Sequence, residues 1–302
     1  MSTNLGTIVN DLKSSLRLAT NNVLSYLLAN LGLVLVLALL LGLIAVPMTM
    51  FAMAAYDMMD SGFGPMMFSW SMQNSWLVGG MGLGVMIPAV SIFLVVVGAI
   101  YGMTNDLVTT GETKAEAAFS YLRAKFIPFI SAGAMLTIVI VVPQLVVWGI
   151  ASYLLGSTVV GLPAQILAVF SFVWTFITVG LTSMVLPAVV SGKGVQEAFH
   201  ESFRLATRRF DRVFGLLTAI VVLAAVMFAP AIIWGLTGSW MMNPSAMFLA
   251  PLLGLVAAWT MVAVLLWALL LYPMVIIAFV KVYHEITDGQ VAPTRHADIP
   301  IA

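Results

Sequence analysis

Long stretches without any charged residue constrain this chain more than any other feature of its sequence. Asp, Glu, Lys and Arg make up 8% of the 302 residues, whereas soluble domains contain about 25%. The charges are clustered, and none falls within 18–56, 61–105, 126–192 or 213–280. Because a helix needs about 20 apolar residues to cross a bilayer, the first two stretches each hold one membrane span and the last two each hold two.

The predicted fold class is therefore an all-α integral membrane protein with six transmembrane helices, forming a single membrane domain over residues 1–302. The predicted spans are 23–46, 81–104, 127–151, 159–188, 213–236 and 248–280.

A repeated hexapeptide predicts how these spans are grouped. Residues 15–20 read Ser-Leu-Arg-Leu-Ala-Thr, residues 202–207 read Ser-Phe-Arg-Leu-Ala-Thr, and a weaker copy lies at 116–123. Each copy leads into a long apolar segment. We expect three related helical hairpins, each preceded by a basic amphipathic interfacial helix. The predicted units are 4–111, 112–192 and 193–289, and a cytoplasmic tail follows at 290–302.

All three of these helices are predicted to be amphipathic and to lie in the membrane interface, since their apolar residues recur every three or four positions. A simple N-terminal extension of the first span is the alternative for residues 4–20. The predicted apolar face of the first helix is Leu5, Ile8, Val9, Leu12, Leu16 and Ala19, and its polar face is Asn10, Asp11, Lys13, Ser14 and Arg17. The apolar face of the third is Val195, Ala198, Phe199, Phe203, Ala206 and Phe210.

Glycines are predicted to end the second, fourth and sixth spans, at Gly111, Gly192 and Gly289. Each stands three residues after a branched side chain. Glycine supplies the left-handed conformation that often follows a helix at no steric cost.

The distribution of Lys and Arg predicts the orientation of the chain. All twelve lie before the first span, between the second and third, between the fourth and fifth, or after the sixth. Only Asp57 and Asp60 are charged on the opposite side. Since positive residues accumulate on the cytoplasmic side, we expect a multi-pass protein of the cell membrane with both termini in the cytoplasm.

The third basic helix predicts a site for membrane lipids. Basic residues beside an anionic membrane surface contribute about 1 kcal/mol each to binding. The predicted headgroup ligands are Lys193, Arg204, Arg208, Arg209 and Arg212.

The connection at 48–80 is predicted to be the one long outer loop, and it is rich in methionine and aromatic residues. Both residue types are enriched at protein interfaces, so we expect it to dock other integral membrane proteins or a second copy. Handling of Cu(I) by methionine sulfur is the alternative. The predicted docking residues are Met58, Met59, Met66, Met67, Trp70 and Trp76.

The sequence offers little catalytic chemistry. It has no cysteine, and its three histidines are not at metal-ligand spacing, so no metal, cofactor, nucleic-acid partner or enzymatic activity is expected. No charged residue lies inside a predicted span, which argues against ion-coupled transport. Thr175, Thr178 and Thr182 recur along the fourth span and are predicted to form hydrogen bonds between helices.

Six spans with segments of the Ser-x-Arg-Leu-Ala-Thr kind before the odd-numbered spans resemble the glycerophosphoryl diester phosphodiesterase membrane-domain group. The resemblance covers most of residues 5–289 and implies a six-span membrane protein; that family's soluble catalytic barrel has no counterpart in these residues. The expected function is a non-enzymatic accessory or scaffold subunit that binds lipids and other membrane proteins. A transport component, either a permease driven by an ATPase or a small-solute exporter, is the alternative, and Glu116-Ala117-Ala118 is compatible with an ATPase-docking helix.

Overall fold

The computed structural model describes residues 5–58, 75–155, 161–234 and 250–287. Every regular element in those ranges is helical. The elements are α1 (Leu5–Asn21), α2 (Val23–Met58), α3 (Ser75–Thr110), α4 (Ala115–Ala124), α5 (Phe126–Leu155), α6 (Leu162–Thr182), α7 (Val185–Val190), α8 (Val195–Arg208), α9 (Phe210–Met227), α10 (Ala250–Leu266), a π-helical segment (Trp267–Leu271) and α11 (Tyr272–Ile286).

Six helical stretches among the described residues are long and apolar enough to cross a membrane, which confirms the all-α, six-span prediction. Two of them are interrupted. The fourth breaks between α6 and α7, and the sixth passes through the π-helical segment between α10 and α11. The short helices α1, α4 and α8 are separate from the spans that follow them, so the alternative of a simple extension at the N-terminus is wrong.

The predicted bounds of the outer loop at 48–80 are wrong, because both flanking helices continue into it. α2 runs through Pro47 to Met58, and α3 begins at Ser75. Residues 48–56 are uncharged and rich in Met and Ala, which are good helix formers, and a proline is tolerated within a membrane-spanning helix. Residues 59–74 lie outside the described part of the chain.

The three short helices lie at one end of the bundle, called the short-helix end from here on. α4 contacts α2 and α3 of the first hairpin, and α8 contacts α5, α6 and α7 of the second. α1 contacts α9, the π-helical segment and α11 of the third hairpin. The N-terminal helix therefore packs against the last hairpin. The internal repeat itself remains a prediction.

The packed core lies toward the short-helix end. The buried residues of α2 are Tyr26, Ala29 and Leu33, all near its start, and α11 is buried along most of its length. Of the described side chains of α10, only Ala263 is buried. Tyr26 also donates to or accepts from the hydroxyl of Thr104 at 2.8 Å, which joins α2 to α3.

Two of the three predicted glycine caps are confirmed. Gly111 and Gly192 have φ angles of 81° and 99°, in the left-handed region. After α7, the N–H of Gly192 bonds to the carbonyl of Val189 at 3.1 Å and the N–H of Lys193 to that of Ala188 at 3.2 Å. This pair of bonds satisfies carbonyl groups that the helix leaves open. Gly289 lies outside the described residues.

Candidate functional site

The basic helix α8 is anchored to the protein through the serine of its hexapeptide. The break between α6 and α7 leaves backbone groups without partners inside a helix. The hydroxyl of Ser202 donates to the carbonyl of Leu181 at 2.7 Å and accepts from the N–H of Met184 at 3.2 Å. Ser202 is fully buried. The contact fixes α8 across the end of the fourth span, and Leu205 and Ala206 are buried beside it.

The outward face around the junction of α8 and α9 carries basic and aromatic side chains together. Phe203 and Phe210 are 39% and 57% exposed, and Arg204, Arg208 and Arg209 are exposed between them. Arg208 and Arg209 form no ion pair with any residue that the structure describes. Aromatic rings and arginines on one surface suit the boundary between headgroups and acyl chains.

Three of the five predicted headgroup ligands have partners within the chain. Lys193 pairs with the buried carboxylate of Glu201, and Arg204 lies 4.0 Å from the other oxygen of the same carboxylate. Arg212 is engaged more fully, as described next. The arginines best placed to meet a headgroup are therefore Arg204, Arg208 and Arg209, and the exposed Asp211 lies beside them.

A cluster of four charged side chains, called the ion cluster, joins α1 to the third hairpin. Arg212 Nη2 lies 2.7 Å from Asp11 Oδ2 and also pairs with Glu285. Lys281 Nζ lies 3.6 Å from Asp11 Oδ1 and 3.8 Å from Glu285 Oε1. Lys281 also donates to the hydroxyl of Ser14 at 2.8 Å. Two carboxylates and two cations thus connect α1, α9 and α11.

Asp11 is the most buried member of the ion cluster, at 6% exposure. Burial raises the pKa of its carboxyl group, and the Arg212 guanidinium, which lowers it, does not fully compensate. Removing charges from water often costs more than their attraction returns. Docking of α1 therefore includes an unfavourable electrostatic contribution.

The predicted polar face of α1 is contradicted at Asp11 alone, which is buried, whereas Asn10, Lys13 and Arg17 are exposed as predicted. Asp11 and Ser15 are buried, whereas Val9 and Leu16 from the predicted apolar face are 59% and 37% exposed. The reason is tertiary, since Arg212 from α9 supplies a partner for Asp11. On the third basic helix, half of the predicted apolar face is buried, namely Ala198, Phe199 and Ala206, while Phe203 and Phe210 point outward.

Lys125 forms a second link at the short-helix end, and sequence reasoning missed it. It stands between α4 and α5, and its ammonium group donates to the carbonyls of Val189 at 2.6 Å and Val190 at 2.8 Å. Both valines are fully buried at the end of α7. Burial lowers the pKa of Lys125, while the negative end of the helix dipole favours a cation at this position.

Polar side chains in the third and fourth spans bond across the hairpin. Gln144 donates to the hydroxyl of Thr175 at 2.9 Å, and Trp148 donates to that of Ser171 at 3.1 Å. The prediction of interhelical bonds is confirmed at Thr175. It is wrong at Thr178 and Thr182, whose hydroxyls donate to carbonyls of their own helix.

The predicted docking residues fall mostly outside the described part of the chain. Met58 is the last residue of α2, and Trp76 lies in the first turn of α3. Met59, Met66, Met67 and Trp70 lie outside the described residues.

An open polar cleft lies where the second span meets α4. Its cavity volume is about 400 Å³. Its lining includes three carboxylates and one ammonium group, those of Asp106, Glu112, Glu116 and Lys114, together with four hydroxyl groups. Tyr121 donates to Asp106 Oδ1 at 2.8 Å, so one wall of the cleft is fixed by α4.

Comparison of the chain with models of protein families, with curated proteins and with solved structures found no match.

Proposed function

We propose that this chain is a non-enzymatic accessory or scaffold subunit of the cell membrane, which binds anionic lipid at its short-helix end and other membrane proteins elsewhere. One observation carries the lipid part of the proposal: Arg204, Arg208 and Arg209 are exposed beside Phe203 and Phe210. Each arginine near an anionic surface contributes about 1 kcal/mol, and the phenylalanine rings enter the adjacent apolar region.

The proposed orientation has the short-helix end and both termini in the cytoplasm. Every Lys and Arg residue belongs to that end or to the C-terminal tail. The cytoplasmic leaflet is the anionic one in cells, so the same charges that orient the chain also face the lipid they would bind. The resemblance to the glycerophosphoryl diester phosphodiesterase membrane-domain group supports a membrane module of this kind.

The proposed partner surface is the methionine-rich connection between the first two spans. Apart from Trp76 and Met58, its predicted docking residues lie at 59–70, a stretch with several aromatic residues and few charges. Methionine and aromatic side chains adapt to apolar partners and are enriched in protein interfaces. Asp57 and Asp60 would orient a partner rather than coordinate Cu(I), which prefers sulfur ligands.

Purification from native membranes in mild detergent, followed by identification of the bound proteins and lipids, tests this function. We expect anionic lipid and one constant membrane complex. Replacing Met58, Met59, Met66 and Met67 with Leu keeps the apolar volume, so the complex should survive with modest weakening. A bound ATPase would favour a transport component instead, and stoichiometric copper lost from the leucine variant would favour copper handling.

A further inference from the structure

The helices α1 and α8 carry the same hexapeptide but are held by different contacts. On α8, Ser202 bonds to two backbone groups of the fourth span. On α1, the corresponding Ser15 is fully buried, and its hydroxyl has no hydrogen-bond partner in the described part of the chain. The residue four positions earlier is the buried Ala198 on α8 and the buried Asp11 on α1.

The docked face of α1 carries two unfavourable features. A buried hydroxyl without a partner costs free energy, and a desolvated carboxylate costs more unless its partners compensate fully. Asp11 keeps a raised pKa despite the adjacent Arg212. Docking of α1 therefore carries a free-energy cost that its departure would relieve.

The outward face of α1 is suited to contact with a membrane surface. Val9 and Leu16 are exposed apolar residues, and Lys13 and Arg17 are exposed basic residues. This combination suits a helix lying on an anionic membrane surface. A turn at Asn22 separates α1 from α2, and a change of backbone angles there would let α1 move while α2 stays in place.

Departure of α1 would change the charge beside the proposed lipid site. The ion cluster contains two carboxylates and two cations, and Asp11 is the only carboxylate that α1 contributes to it. Without Asp11 the cluster has one uncompensated positive charge. Arg212 lies in the first turn of α9 and follows Arg208 and Arg209 closely in the chain. A phosphate group could then take the place of the Asp11 carboxylate.

We propose that α1 is a releasable clamp, in which Asp11 occupies Arg212 until the phosphate of an anionic lipid headgroup replaces it. The inference rests on the proposed lipid site and adds its regulation. Docked α1 and anionic lipid compete for Arg212, so each weakens the other by the same factor. A membrane rich in anionic lipid shifts the population toward the released state, with four arginines rather than three facing the headgroups.

A thiol at Ser15 reports the release. The chain has no cysteine, and Ser15→Cys removes no hydrogen bond found among the described residues, so the full-length variant should dock normally. Its reaction rate with a maleimide is measured in nanodiscs of phosphatidylcholine, without and with phosphatidylglycerol. We expect phosphatidylglycerol to accelerate labelling on the order of fivefold or more, the lower end of common coupling energies.

Ala198→Cys, at the corresponding buried face of α8, is the matched control and should react slowly in both membranes. A maleimide labelling rate of Ser15→Cys that does not change when phosphatidylglycerol is added contradicts the clamp. If the protein still retains phosphatidylglycerol in that case, the lipid site stands without the clamp. If it retains none, the proposed function fails as well, so the two failures are distinguishable.

Discussion

Gly133 of α5 lies against the backbone of Ser91 in α3. A Cβ atom on Gly133 would stand 2.9 Å from the Ser91 Cα atom, closer than carbon atoms in van der Waals contact allow. Ser91 is buried within a helix, so its backbone cannot rotate away. This approach joins the first hairpin to the second, in a membrane setting where small residues let helices pack closely.

Gly133→Ala should therefore destabilise the protein by about 1–3 kcal/mol, the usual cost of overpacking a tight contact. Gly149→Ala is the matched control, since it lies on the same helix with nothing within 4 Å of an added Cβ atom. Alanine there should leave stability unchanged or slightly raised. Thermal unfolding of both variants in one detergent measures the difference. Equal effects at the two positions would contradict the packing described here.

The serines of the two hexapeptides should respond differently to removal of their hydroxyl groups. Ser202→Ala leaves a buried N–H and a carbonyl at the α6–α7 break without their partner, which costs about 1–3 kcal/mol. Ser15→Ala removes a buried hydroxyl that has no partner among the described residues, so we expect stability to be unchanged or raised. Denaturant unfolding in mixed micelles compares them. A Ser15 variant as unstable as the Ser202 variant would disprove the contrast.

Lys125 should stabilise the end of α7. Lys125→Met leaves the buried Val190 carbonyl without the ammonium donor, and we expect a loss of about 1 kcal/mol at neutral pH. Lys13→Met, at an exposed position, should change little. Unfolding free energies of the two variants test the assignment, and equal values would count against it.

The pH dependence of the same variant follows from the lowered pKa of Lys125. The folded state binds fewer protons than the unfolded state between the lowered folded pKa and the ordinary value near 10.5. Stability from this group therefore rises as the pH rises through that window. The difference in unfolding free energy between wild type and Lys125→Met should therefore widen from pH 7 toward pH 10. A difference in unfolding free energy that narrows as the pH rises would contradict a lowered pKa at Lys125.

The spans could be predicted because a bilayer imposes one length on every crossing helix. Charge-free stretches therefore located all six. The ends of the helices were harder to predict, because uncharged helix-forming residues continue past the predicted boundary at Pro47. The local cap at Gly192 was also readable, because it depends on neighbouring residues alone.

The ion cluster could not be predicted from local patterns. Asp11 looks like a solvent-facing residue of an amphipathic helix, and its partner Arg212 comes from a distant part of the chain. One signal was present: Asp11 precedes Ser15 by the interval that separates Ala198 from Ser202. An alanine at the matching position of the other hexapeptide helix indicates a buried site, and a charge there needs a partner.

Cysteines at Ser61 and Gln196 should report the orientation of the chain. Ser61 follows the first predicted span and lies outside the described residues, and Gln196 is exposed on α8. We expect an impermeant maleimide added to intact cells to label Ser61→Cys and not Gln196→Cys. The opposite pattern would invert the proposed orientation.

Retention of anionic lipid by Arg208→Gln/Arg209→Gln tests the central claim most directly. Native mass spectrometry of the purified protein over a phosphatidylglycerol titration measures the affinity. Two lost charges should weaken binding by about 2 kcal/mol, roughly 30-fold, and the difference should shrink as salt is raised. Lys114→Gln/Arg123→Gln removes the same charge from the exposed surface around α4 and should bind nearly as the wild type does. Unchanged retention in the α8 variant, or equal losses in both, would contradict a lipid site at Arg208 and Arg209.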